Sequence, residues 1–122
     1  MQTQKFSLRR RAKSFQFAFQ GLYHFFSTQH NAVIHAIATG AALTLSAIIK
    51  LPPAKFLFII IVIGLVWMAE LFNTAIEKLC DMVCPQQHPK IKFIKDVSAA
   101  AVLVAAIIAV ITACIIFIPV LL

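Results

Sequence analysis

Phe56-Leu57-Phe58-Ile59-Ile60-Ile61-Val62-Ile63-Gly64-Leu65-Val66-Trp67-Met68-Ala69 runs without a break into Glu70-Leu71-Phe72-Asn73-Thr74-Ala75-Ile76-Glu77-Lys78-Leu79-Cys80-Asp81. The first part is an unbroken apolar run. Joined to the second part, it is long enough to cross a bilayer as one helix. The second part places Glu70, Glu77 and Asp81, three of the chain's four acidic residues, on that same helix. At 100° per residue, Glu77 lies about 20° from Glu70 and Asp81 about 20° to the other side, so the three carboxylates form one stripe. Burying carboxylates near lipid costs a few kcal/mol each, so such a stripe reads as a functional site built to hold a cation or move a proton.

Working outward, the remaining sequence is that of an all-α membrane protein. Of 122 residues, 61% are hydrophobic and only 12% charged, too apolar for an ordinary soluble domain. Ala32 to Ile49 is free of formal charge, and Val97 to Leu122 carries none at all. Three transmembrane helices are expected, over 32–50, 55–83 and 93–121, in a single membrane-embedded domain covering 1–122. Residues 1–30 form a basic N-terminus and a surface helix. In that segment Phe15, Phe19, Leu22 and Phe26 recur at helical spacing, which predicts an amphipathic helix lying at the interface. There is no long apolar core followed by a small-residue cleavage site, so the segment is not read as a signal peptide.

The basic residues set the orientation. Lys5, Arg9, Arg10, Arg11 and Lys13 precede the Phe-rich segment from Phe15 to Tyr23, and Lys90, Lys92 and Lys95 cluster between the second and third spans. The short turn between the first two spans has only Lys50 and Lys55, and the C-terminus has none. The N-terminus and the second loop are therefore expected at the cytoplasmic face of a bacterial inner membrane. The net charge of +7 is then mainly a topology signal, and no nucleic-acid partner is expected. Cys80, Cys84 and Cys114 are read as packing residues, since a metal site from Cys80 and Cys84 would need further ligands.

Depth narrows the function. With Lys55 at the outer interface, a rise of 1.5 Å per residue places Glu70 roughly 22 Å inward. Glu77 lies about 33 Å inward, at the far boundary of a hydrocarbon core about 30 Å thick. Asp81, Lys95 and Asp96 gather at the same face. A transport pathway usually holds its key charge near mid-membrane, so this pattern favours chemistry where a cytosolic solute meets a lipid headgroup. The lysines beside the carboxylates suit a phosphorylated solute brought in with Mg²⁺, which takes one or two carboxylates plus phosphate oxygens. Gly21, Gly40 and Gly64 form no phosphate loop. His35, near the start of the first span, is read as a helix-packing hydrogen-bonder. The alanines at 101, 105, 109 and 113 let helices approach closely.

The stretches Ala69 to Glu77 and Lys95-Asp96-Val97-Ser98-Ala99-Ala100-Ala101-Val102-Leu103 resemble the small prokaryotic diacylglycerol kinases, a family that includes the undecaprenol kinases. The resemblance runs from Lys13 to about Phe117. Asn31-Ala32-Val33-Ile34-His35 and the segment ending Ala18-Phe19-Gln20-Gly21 look more like the undecaprenol branch. The resemblance implies a homotrimeric lipid kinase with active sites shared between subunits, transferring the γ-phosphate of ATP to the primary hydroxyl of undecaprenol or diacylglycerol. It casts Glu70 as the general base and Asn73 as the residue that orders the site. It places Glu77 and position 29 at Mg²⁺, and Lys95, Asp96, Arg10 and Phe17 at the nucleotide. Position 29 departs from the pattern: Gln29 stands where the family usually has glutamate, so the metal there is held with less charge. The rival readings are a small proton-coupled transporter and a non-catalytic membrane subunit. Neither accounts for every acidic side chain sitting at one membrane level.

Overall fold

The computed structural model describes residues 5–122, and the described residues form four helices and no strands. Helix α1 is Leu8–Thr28, α2 is His30–Ile48, α3 is Pro53–Val83 and α4 is Pro89–Leu121. Helices α2, α3 and α4 are long and apolar enough to cross a membrane. By internal packing the chain divides into two compact units, one ending at Val33 and one running from Ile34 to Leu122.

In the first unit, Ser7 caps α1 by accepting from the Arg10 N–H. The Arg11 guanidinium stacks over the Phe6 ring, 5.5 Å from its centroid. The helix ends where Ser27 and Thr28 turn their hydroxyls back onto the His24 carbonyl, at 3.1 and 2.6 Å. Gln29 then adopts extended backbone, donating its N–H to the Phe25 carbonyl, and Ala32 donates back to the Gln29 carbonyl. Gln29 is thus the single non-helical residue between α1 and α2. Phe15, Phe17, Phe19 and Tyr23 project from α1 as exposed rings.

In the second unit, α3 and α4 pack antiparallel, joined by a loop whose residues stop one helix and start the next. Cys84 closes α3 by donating its N–H to the Cys80 carbonyl, and His88 caps α4 through Nδ1, with Pro89 in the first turn. The α2–α3 connection uses Lys50 in the left-handed region (φ 53°). Its neighbour Leu51 donates to the Ser46 carbonyl, the six-to-one bond of a Schellman ending. Pro52 and Pro53 then open α3. The apolar core lies at this end of the unit. Ile59, Ile116 and Phe117 are buried there, with Leu45, Ile49 and Ala113 against them. Helix α3 has 31 residues, so it is about 46 Å long and outreaches a hydrocarbon core of about 30 Å. The end bearing Lys78 and Asp81 is the one that can leave the apolar layer.

Candidate active site

Three links to a carboxylate or amide side chain of α3 join it to its neighbours at the end opposite the apolar core. The deepest is between Glu70 and His35 of α2, with Oε1 and Nε2 2.6 Å apart. Glu70 is 5% exposed, although it is ionisable. One turn further along, the Ser98 hydroxyl of α4 donates to Asn73 Oδ1 at 2.6 Å, and Ser98 is itself buried. Two turns beyond that, Lys95 Nζ donates to Asp81 Oδ1 at 2.6 Å, in the open. Exposure therefore rises along α3 from Glu70 through half-buried Glu77 to Asp81. This is the gradient expected of a helix that carries one carboxylate into the apolar layer and leaves another outside it.

Chemistry depends on which atoms are already engaged. His35 takes Oε1 of Glu70, leaving Oε2 with no protein partner among the described residues. Asn73 has its carbonyl oxygen held by Ser98, so its amide hydrogens are free to donate to an incoming oxygen. Glu77 makes no hydrogen bond or ion pair among the described residues, so both its oxygens are available to a cation. No three His, Cys, Asp or Glu side chains among the described residues converge as a ready cage. Mg²⁺ does not require one, because it is commonly held by one or two carboxylates together with phosphate oxygens and water.

Lys95 and Asp96 sit side by side in sequence but take different partners. Lys95 reaches across to Asp81, while Asp96 pairs with Lys92 one turn earlier on its own helix. Both flank an open hollow of about 630 Å³ formed by the Cys84–Pro89 loop with Ile91 and Lys92. A second, apolar groove of about 370 Å³ runs between α2, α3 and α4, past Ile63, Val66, Ala109 and Val110, and reaches His35 and Trp67.

Of the residues expected from the sequence, Glu70, Asn73, Glu77, Lys95 and Asp96 fall in the second unit, at its polar end. Arg10, Phe17 and Gln29 belong to the first unit. There Arg10 lines a small hollow with Lys5, Arg11 and Ser14, and Phe17 is exposed. Gln29 is half-buried at the joint after α1. Sequence reasoning missed Ser98 and the partner of His35. Ser98 lies in the quoted Lys95-to-Leu103 stretch, three residues past Lys95, a spacing that shares a helix face.

The fold and these side chains define a three-span helical membrane protein with a buried carboxylate, an amide and lysines gathered at one end of its spans. The chain belongs to the prokaryotic diacylglycerol kinase family, whose sequence model matches residues 16–117. It is 37% identical over 112 residues to an undecaprenol kinase of Bacillus subtilis (strain 168), covering 92% of this chain and 91% of that protein. It is also 37% identical over 99 residues to a diacylglycerol kinase of Synechocystis sp., covering 80% of this chain and 57% of that one.

Proposed function

We propose that this chain is a lipid kinase that transfers the γ-phosphate of ATP to the primary hydroxyl of a membrane lipid. The observation that carries the reading is a buried glutamate with one oxygen free of protein partners among the described residues, at the buried end of a row of polar side chains. The reading makes Glu70 the general base. The lipid hydroxyl oxygen bonds to the γ-phosphorus as the bond from that phosphorus to the bridging oxygen breaks. The bridging electron pair leaves with ADP, and the hydroxyl proton passes to Glu70 Oε2. The Asn73 amide donates to a phosphoryl oxygen, held in that orientation by Ser98. Lys95, with Lys92 nearby, meets the nucleotide's phosphates in the hollow, and Asp96 binds the nucleoside. Glu77 supplies the charged ligand to Mg²⁺ and Gln29 a neutral one. The bound metal would offset charge on the phosphate oxygens.

The acceptor we favour is undecaprenol, since the relative matched over nearly its whole length bears that activity in its name. Residues 1–122 act as one kinase domain. Its exposed rings lay α1 on the membrane surface, and Arg10 and Phe17 reach the nucleotide. The basic residues at the start of α1 and in the first turns of α4 favour a cytoplasmic N-terminus and site at the inner membrane. The working form is a homotrimer with shared active sites. The transporter and non-catalytic readings are not favoured, because the family and both relatives are kinases by name.

The test is Mg²⁺-dependent transfer from labelled ATP to undecaprenol and to diacylglycerol in mixed micelles. Transfer to undecaprenol that Glu70→Gln abolishes is expected. Absence of transfer to either lipid from folded protein sinks the reading. In the same assay Gln29→Glu is expected to lower the Mg²⁺ concentration at half-maximal rate about tenfold, the gain from adding a charged ligand.

A further inference from the structure

Glu70 is the most buried ionisable carboxylate of the described chain, and it is held from another helix. The His35 Nε2 to Glu70 Oε1 distance is 2.6 Å, with the imidazole 22% and the carboxylate 6% exposed. With Glu70 read as the base, its carboxylate accepts and the imidazole nitrogen facing it donates. Beside the imidazole stands an aromatic neighbour. The His35 ring meets Trp67 edge to face, with centroids 6.1 Å apart at 65°. Trp67 in turn donates its indole N–H to Thr39 Oγ1 at 3.0 Å. Thr39 lies one turn after His35 on α2, and Trp67 one turn before Glu70 on α3. The Trp67–Thr39 bond is thus a second, separate link between the same two helices.

We propose that His35 is the positioning residue of this site, fixing the plane of the Glu70 carboxylate so that Oε2 faces the acceptor hydroxyl. The proposal rests on the reading of Glu70 as the base. A glutamate side chain has three rotatable bonds, and without a donor on Oε1 nothing among the described residues fixes the plane of its carboxylate. With the donor in place, one oxygen is committed and the other is aimed. Displacing a reacting group by about 1 Å can cost about 10²-fold in rate, so the bond matters for turnover more than for binding. A bond that merely ties α2 to α3 would behave differently. It would share its role with the neighbouring Trp67–Thr39 bond, which joins the same two helices without touching Glu70.

The experiment uses the full chain in mixed micelles, with kcat and both KM values measured and folding checked by size exclusion and thermal melting. His35→Leu is expected to lower kcat about 10²-fold while KM for ATP and lipid stays within about twofold. His35→Gln is expected to recover most of the rate, because its amide nitrogen reaches the place of the imidazole Nε2. His35→Asn is too short to reach Oε1 and is expected to match the leucine variant, so it serves if that variant does not fold. Thr39→Val is expected to lower the melting temperature and leave kcat unchanged. A leucine or asparagine variant with normal kcat, beside an inactive Glu70→Gln, overturns the positioning role alone. So does Thr39→Val losing as much kcat as His35→Leu. A Glu70→Gln enzyme that still turns over overturns the base assignment, and the positioning role with it.

Discussion

The two ends of the 34–122 unit are built from the same three helices and solve opposite problems. At one end Ile59, Ile116 and Phe117 meet with Leu45, Ile49 and Ala113, and the cluster is wholly apolar. At the other, α3 is tied to its neighbours by His35–Glu70, Ser98–Asn73 and Lys95–Asp81. The apolar end holds by packing, which is collective and tolerant of direction. The polar end holds by single bonds that specify one orientation each. Such bonds contribute modestly to stability within a membrane, about 0.6 kcal/mol on average. Their exposed member, Lys95–Asp81, is screened by solvent and adds little. One end keeps the helices together, and the other contributes little to stability and much to geometry.

This contrast can be broken by substitution. The largest effect is expected for Glu70→Gln, which removes the proposed proton acceptor and keeps the shape. Turnover should fall by about 10²–10⁴-fold with the melting temperature nearly unchanged. A comparable loss of stability there would mean that the polar end also carries the fold. Phe117→Ala should do the reverse, costing about 2 kcal/mol in unfolding measured in detergent, with kcat of the folded fraction intact. The cost is below that for a soluble core because lipid-like tails offset the transfer loss but not the cavity. Ser98→Ala frees the Asn73 carboxamide to rotate, and kcat is expected to drop about tenfold at constant KM for ATP. Smallest is Lys50→Gly. It relieves a side chain from the left-handed region and should stabilise the apolar end by about 0.5–1 kcal/mol, with activity unaltered.

Legibility in the sequence divides the same way. The three long apolar helices and the carboxylate stripe on α3 can be read from composition and from periodicity, since both are properties of one segment at a time. The partners cannot. Lys95 and Asp96 look like a pair in the sequence, yet adjacent helical residues point about 100° apart. The fold sends the lysine to Asp81 and leaves the aspartate with Lys92. The family resemblance places Gln29 on the surface helix. It stands instead at the break between two helices, where Ser27 and Thr28 end α1 by bonding back to His24. His35 reads as a packing hydrogen-bonder, and it does make a cross-helix hydrogen bond. Nothing in the spacing of residues 35 and 70 could name the proposed base as its partner.

What the sequence determined by itself is the set of helices, their fitness for a bilayer, and which helix bears the acids. Those depend on local hydrogen bonding and on the apolarity of single segments. Only the tertiary structure decided which oxygen of Glu70 is committed, that Ser98 engages Asn73, and that Asp81 engages Lys95. Each of those depends on the rotation and axial offset of one helix against another. Those two quantities are set by the packing of side chains far along the chain and leave no local trace in it.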